Sequence, residues 1–494
     1  MKKHSILLLI YFSFINIEIY AQENKPSPNK YKISLISSLI NKDKAPLWQT
    51  SNMHGIIPDE NTFIAELEVY HTLYSKNKNF QAHLGADIIT STSREEDNFF
   101  PSQLYLGLQY HKLLINIGIK HELTRYNGLS STNGEIQWSN NARSMPGYNI
   151  TFTDFLSLSD IGNLFLKKTK QNSSSKILFN LGFGDYIAND DRYCGNKTLM
   201  HKDFFAIKIL ASPKTEITCK MNRIIYWAGE NKRLGKQPSG FKNYLRVIFQ
   251  QNGGEDANIS DQINKLGNTL GAYNINVKHT FNNGKKLSLY YSHIFEDKSG
   301  MRFKNGTDGV WGLYLENDKP YAISHFIYEY INTTDQSGEP GTSFSAGDNY
   351  FNNGIYNSGH TYHKRTIGLP LMYPQTSKKG DICMGIRNNK IIAHHIGLDG
   401  SISKIPYTFL LTLSHNYGLS GNSYGKIDAK DYNCLLQFNI AQKLHFLDSM
   451  FNMALIQKHK LNFILGATYS KNEESFFPNN TWGGFLKISF AYLK

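Results

Sequence analysis

A chain of 494 residues with a formal charge of +13, four cysteines and 19% charged residues, yet 30 tyrosines and 30 phenylalanines, lies outside several classes. Cys194, Cys219, Cys383 and Cys434 are scattered singly, so no zinc spacing exists, although two disulfides are possible in an oxidising compartment. No basic-aromatic stripe or nucleic-acid motif accompanies the positive charge, which suits acidic partners such as lipopolysaccharide headgroups or acidic glycans.

The first 21 residues read as a secretory signal peptide. Lys2 and Lys3 precede an apolar run from Ile6 to Ile19, and Tyr20-Ala21 offers a cleavage site before Gln22. No later stretch approaches the roughly 20 apolar residues of a spanning helix. Residues 22–60 read as a periplasmic leader, punctuated by Pro26, Pro28, Pro46 and Pro58.

From about residue 61 onward, stretches of about ten residues alternate apolar and polar between turn-rich loops, the signature of strands with one greasy face. Ala65-Leu67-Val69 is one strand. Leu104-Leu106-Leu108-Tyr110 and Leu114 to Lys120 read as a hairpin, and Phe179-Leu181-Phe183 follows. Tyr244 to Phe249 reads as another strand. Ser260 to Asn274 breaks the period: Ile263, Leu266 and Leu270 at helical spacing predict a short helix, with Ser260 as its N-cap. Strands resume at Leu287–His293, Phe409–Leu413, Cys434–Ile440, Phe463–Tyr469 and Leu486–Tyr492. Asn282-Asn283-Gly284 is a turn signal. Cys434 falls on an apolar strand face. The polar stretch 335–374, rich in Gly, Asn, Tyr and His, is long for a loop and has aromatics to bury, so it is expected to fold into or over a lumen.

An amphipathic strand with alternate aromatics ends the chain, as closure of a single-chain barrel requires. The fold expected is therefore all-β: an outer-membrane β-barrel over 61–494, with a few short helices.

No nucleophile elbow, Walker loop, HExxH or dinucleotide fingerprint is present, and no cofactor is called for. Glu296 and Asp297 could serve a glycosidase only if they converged, and adjacent strand residues point to opposite faces. A turn with an Asx-type hydrogen bond and an ion pair to Lys298 or Arg302 explains them better. His394-His395 lacks the third ligand of a metal site. The Asp/Asn/Tyr/His cluster between Asp348 and His363 offers the amides, carboxylates and flat rings that bind sugars. The same groups could equally knit a loop together.

The ordered series Ser139-Asn140-Asn141-Ala142-Arg143-Ser144-Met145-Pro146, Glu296 to Gly300, Asp308-Gly309-Val310-Trp311-Gly312, Glu329-Tyr330, Ser337-Gly338, Asp348 to Asn353 and Gly359-His360-Thr361-Tyr362 resembles the capsule assembly protein Wzi family, in its Bacteroidetes-type form. The resemblance runs from about Pro46 to the C-terminus. It implies an outer-membrane barrel of about 18 strands and a lectin-like, non-catalytic role retaining capsular or exopolysaccharide at the cell surface. Asp348, Tyr350, Asn353, Tyr356, His360 and Tyr362, with Arg143 and Trp311 behind them, are the candidates for glycan contact or lumen plugging. The partners expected are the polysaccharide, outer-membrane lipid and lipopolysaccharide, and the barrel-assembly machinery. The alternatives are a pore for small solutes or glycans, or a hydrolase acting through Glu296 or Asp297.

Overall fold

The computed structural model describes residues 29–74, 80–94, 96–157, 159–160, 175–317, 321–337, 347–377, 382–419, 428–443, 459–472 and 480–493. The signal peptide read in residues 1–21 lies outside them.

Eighteen long antiparallel strands form one closed sheet. They are β1 Asn29–Ile40, β2 Thr62–Tyr74, β3 Phe80–Ser91, β4 Phe99–Tyr110, β5 Leu113–Ile119, β6 Pro146–Phe152, β7 Ile177–Ile187, β8 Cys194–Ser212 and β9 Thr215–Asn231. The second half holds β10 Asn268–Thr280, β11 Lys286–Phe295, β12 Gly309–Glu316, β13 His325–Asn332, β14 Ile391–Ile402, β15 Ile405–Asn416, β16 Ala429–Lys443, β17 His459–Asn472 and β18 Thr481–Leu493. A two-residue pairing, Gly235–Lys236, is appended to β9. Each strand pairs with its sequence neighbour. The barrel closes where β1 meets β18, in register from Lys30 opposite Leu493 to Ile40 opposite Gly483.

That closure corrects the leader reading of residues 22–60: Asn29–Ile40 is a wall strand. Its outward side chains, Tyr31, Ile33, Leu35 and Leu39, are exposed, and its inward Ser34, Ile36 and Ser38 are buried. The pattern is that of the other strands. Large apolar residues face outward, toward lipid, and small or polar ones face the lumen. On β18 the outward set runs Trp482, Leu486, Ile488, Phe490, Tyr492, aromatic at both ends and aliphatic between. Tyr469 beside Trp482 (4.3 Å) marks one girdle, and Tyr31 beside Tyr492 (6.0 Å) marks the other. Cys434 shares the outward face with Tyr432 and Leu436, and all four cysteines are free thiols.

Connections leaving even-numbered strands lie at the end that carries the chain termini, and include two-residue turns at 111–112, 213–214 and 403–404. The turn 281–285 places Gly284 at φ +84°, as its Asn-Asn-Gly sequence suggested. Connections leaving odd-numbered strands include the long ones: 41–61, 120–145, 232–267, 296–308 and 333–390. The three longest connections lie on one side and the two-residue turns on the other, although 153–176 and 444–458 also leave even-numbered strands; this is the sidedness of outer-membrane barrels, with the termini periplasmic.

Two local expectations are corrected. Phe241–Ile248 is a helix, not a strand. The helix expected over 260–274 shrinks to Ile259–Ile263, with Asn258 rather than Ser260 at the N-cap position and no side-chain capping bond. Leu270 already belongs to β10 and faces the lumen core.

Candidate functional site

Three long loops turn inward and fill the loop-side half of the lumen. The single turn Leu47–Thr50, the segment 120–145 and the segment 347–373 contribute Leu47, Trp48, Leu129, Ile136, Tyr350, Phe351, Leu369 and Met372 to one apolar cluster. Wall residues complete it, among them Tyr290, Ile294, Val310, Ile327, Ile331, Ala393, Leu435 and Phe485. Beside it, Ile355, Tyr356, Tyr362 and Ile367 pack on Met200, Ile224 and Tyr226. These clusters resemble the interior of a soluble domain, and burial of such surface is what holds loops inside a barrel.

Polar groups fix the plug's register. Glu329, inward on β13 and fully buried, accepts from Ser130 Oγ (2.5 Å), Ser131 N (2.8 Å), Ser131 Oγ (2.5 Å) and Tyr290 OH (2.5 Å). His395 bonds Leu129 O through Nε2 and Thr412 Oγ1 through Nδ1, both at 2.7 Å, and Trp48 Nε1 donates to the same threonine (3.0 Å). Gln49 spans the barrel seam. It donates to Ser38 Oγ on β1 (2.8 Å) and accepts from Thr468 Oγ1 on β17 (2.7 Å). The sequence held no signal for these roles, because each depends on which residues meet across the lumen.

Most sequence-derived candidates belong to this plug. Tyr350 is buried, accepts from Asn305 Nδ2 (2.7 Å) and donates to Asp308 Oδ2 (3.0 Å). Burial, with the Asp308 charge, keeps its phenol far above the ordinary value. Tyr356 is core. His360 packs on Tyr226 (5.3 Å), and burial lowers its pKa to about 3, so the ring is neutral. Tyr362 donates to Asn189. Asp348 is buried and accepts from Ser337 Oγ (3.0 Å). Arg143 is also buried, paired with Asp97 (2.6 Å) and Glu96 (3.4 Å) and lying over the Phe100 ring (3.6 Å). Trp311 is outside the lumen altogether, exposed on the lipid face of β12 and stacked on Tyr291 (3.9 Å). Asn353 alone of the set is partly exposed at the loop-side surface.

Around Asn353 the structure assembles neighbours that the sequence did not single out. Its carboxamide oxygen accepts from Ile355 N (2.8 Å) and Tyr356 N (3.0 Å). Asn357 is held by Asn231 Nδ2 (3.1 Å). Partly exposed Tyr193 is tied to the same turn by its N–H to Ser358 Oγ (2.8 Å), with Lys232 Nζ 6.0 Å from its ring. Amides, an aromatic face and a cation thus share one rim patch.

The carboxylate pair does not converge. Asp297 caps the turn Lys298–Met301 through Ser299 N (2.6 Å). Glu296 accepts from Asn349 N (2.9 Å), and burial with the nearby Asp348 charge raises its pKa well above the carboxylate range. No group of three metal-ligating side chains occurs among the described residues.

Beneath the plug a cavity of ≈ 1650 Å³ reaches the turn side. Several of its charges are paired, Lys202 with Glu122 (2.5 Å) and Arg125 and Lys220 with Glu135 (2.5 and 2.6 Å), and His325 Nδ1 hydrogen-bonds Asp399 Oδ1 (2.6 Å). Burial alone would raise Glu135, but the Arg125 and Lys220 charges outweigh it and hold that carboxyl well below its ordinary value.

The profile of the capsule assembly protein Wzi family matches residues 77–371. No curated protein sequence matches the chain. Among solved structures, Wzi of Escherichia coli, described as an outer membrane protein involved in group 1 capsule assembly and a carbohydrate-binding β-barrel, is similar at 13% identity. That match has a TM-score of 0.53 and covers 94% of this chain and 84% of that one. OccK3 of Pseudomonas aeruginosa aligns at 9% identity over 94% and 95% of the two chains, TM-score 0.45. OprD of the same organism aligns at 9% identity over 94% and 93%, TM-score 0.45.

Proposed function

This chain belongs to the capsule assembly protein Wzi family, and from that premise we propose that it binds capsular or exopolysaccharide at the outer surface and holds it there without cleaving it. The observation that carries this reading is the plug. A barrel whose loop-side half is packed like a protein core offers a fixed platform rather than a conduit. The patch of Asn353, Asn357, Tyr193 and Lys232 supplies the contacts. Planar amides bond hydroxyl groups, the tyrosine ring takes a sugar face, and the lysine favours an acidic residue in the polymer. Each contact is weak, and repetition along a polymer gives avidity.

The test is binding of purified, detergent-folded protein to surface polysaccharide from its own host, with heat-modifiable gel mobility reporting the folded barrel. Saturable binding without shorter fragments, weakened at least tenfold (about 1.4 kcal/mol) in a Tyr193→Ala, Asn353→Ala double variant, is expected. Absence of binding together with steady ion conductance in a planar bilayer would favour a pore. Release of fragments, abolished by Glu296→Gln, would favour a hydrolase.

A further inference from the structure

The loop 232–267 does not join the plug. It folds outward over the wall and covers a polar cluster that faces away from the lumen. Asp185 on β7 accepts from Tyr148 OH on β6 (2.6 Å) and from Tyr244 OH of the helix Phe241–Ile248 (2.7 Å), and pairs with His201 Nδ1 on β8 (2.8 Å). Arg223 on β9 donates to Asp203 Oδ1 (2.9 Å) and to Ile248 O (3.1 Å). Tyr244 and Val247 then pack on Ile225 and Trp227 of the wall.

The covering segment turns a second apolar face outward. Phe241 is 75% exposed, Phe249 67%, Ile259 75% and Ile263 71%. Four large apolar side chains this exposed within one loop are costly in water, at roughly 25 cal/mol for each Å². Residues 237–267 carry Lys242 and Arg246 on the helix and Lys265 beyond it, against Glu255, Asp256 and the buried Asp261, with Arg246 Nη1 3.9 Å from Asp256 Oδ1; Lys232, Arg233 and Lys236 precede the segment. A chain of rings sets its height on the barrel. Trp311 stacks on Tyr291 (3.9 Å), Tyr291 lies by His293 (5.8 Å), and His293 lies by Phe303 of the loop 296–308 (4.3 Å). Lys265 Nζ then bridges to Met301 Sδ (3.9 Å) and joins that loop to 232–267. The collar is therefore continuous with the loop-side aromatic girdle.

We propose that residues 237–267 form an external collar that docks on the outer leaflet. Phe241, Phe249, Ile259 and Ile263 enter the acyl layer, and Lys242, Arg246 and Lys265 contact the phosphates of an acylated, phosphate-bearing surface lipid. An amphipathic helix with basic flanks lies in an interface in this way. Unlike a free amphipathic peptide, this one is bolted to the wall through Asp185 and Arg223.

The test uses the full chain, its cysteines replaced by serine, refolded in nanodiscs containing diphosphorylated lipid A. Single spin labels go at Phe241, Ile259 and Ile263, with Leu67 as a lipid-face reference and Lys364 as a water-face reference. Oxygen access with exclusion of a water-soluble nickel chelate, as at Leu67, is expected. Access to the chelate would overturn the proposal, and exclusion of both would mean that another protein or a second copy covers the collar, which overturns it too. Separately, Lys242→Gln, Arg246→Gln and Lys265→Gln are combined and retained lipid is weighed by native mass spectrometry. Retention of lipid A should fall roughly fivefold for each cation, from about 1 kcal/mol apiece, with retention of zwitterionic lipid unchanged. Unchanged lipid A would overturn the phosphate contact.

Discussion

Asp348 distinguishes a plug residue from a ligand contact. Its carboxyl is buried, its one side-chain donor among the described residues is Ser337, and it shares its surroundings with Asp297, Asp308 and Asp335. Burial first, and the Asp297 charge second, push its pKa from 3.8 to about 7. A raised carboxyl pKa means the docked plug binds a proton that the undocked loop has released. The Asp348 contribution to plug stability is then fully present below about pH 4, declines as pH rises, and is lost above about pH 7. A shift of about three units corresponds to about 4 kcal/mol at most. Asp348→Asn removes the titration. Above pH 7 the variant's plug should be tighter than wild type by up to that amount. The assay is hydrogen exchange of the amides 347–351 at about pH 5 and about pH 8, corrected for intrinsic rates. Wild-type protection should drop on going to the higher pH, while the variant should retain most of it. Asp308, raised to about 6, and Glu296, raised well above the carboxylate range and bonded to Asn349 N, leave a residual dependence in both. Equal pH dependence in the two proteins, or lower protection in the variant at pH 8, would refute the reasoning. Polysaccharide binding should be unchanged; a loss of binding with protection intact would make Asp348 a glycan contact instead.

Trp48→Ala removes a buried indole, its bond to Thr412 and its contact with His395 (5.1 Å). It should cost about 3–5 kcal/mol of plug packing and turn a silent bilayer trace into intermittent openings; a trace that stays silent, with exchange unchanged, counts against the plug. Glu329→Ala leaves Ser130, Ser131 and Tyr290 without their acceptor, a loss of about 3 kcal/mol or more, visible as faster exchange confined to 129–136. Trp311→Ala should leave polysaccharide binding intact and lower unfolding free energy in vesicles by about 1 kcal/mol through the lost stack on Tyr291; weakened binding would place Trp311 at the glycan after all.

The barrel was legible because period two survives in every long strand, from Phe463-Leu465-Ala467 to Leu486-Ile488-Phe490. β1 carried the same alternation in Tyr31, Ile33 and Leu35, but flanking prolines masked it. The 244–249 segment misled because a short apolar run fits either period. Its three- and four-residue spacing, Phe241, Leu245 and Phe249 against Tyr244 and Val247, shows only when both faces are seen. Ile263, Leu266 and Leu270 matched a helix by coincidence, since a turn separates the first from the last. The candidate cluster was open between glycan contact and loop packing in sequence, and the structure buries most of its side chains in the plug. The rim patch was invisible in sequence because Tyr193, Lys232 and Asn353 come from three separate loops.

The Gln49 bridge carries a consequence for biogenesis. Its partners Ser38 and Thr468 lie on opposite sides of the junction between the first and last strands. A carboxamide reaching both sides engages only once that junction is zipped. The apolar clusters it sits beside draw on strands from all round the circumference. These contacts fit an order in which the insert is enclosed while the wall is still an open sheet and the ends meet last. Losing this one carboxamide should delay the final zippering step while leaving the finished barrel's shape unaltered.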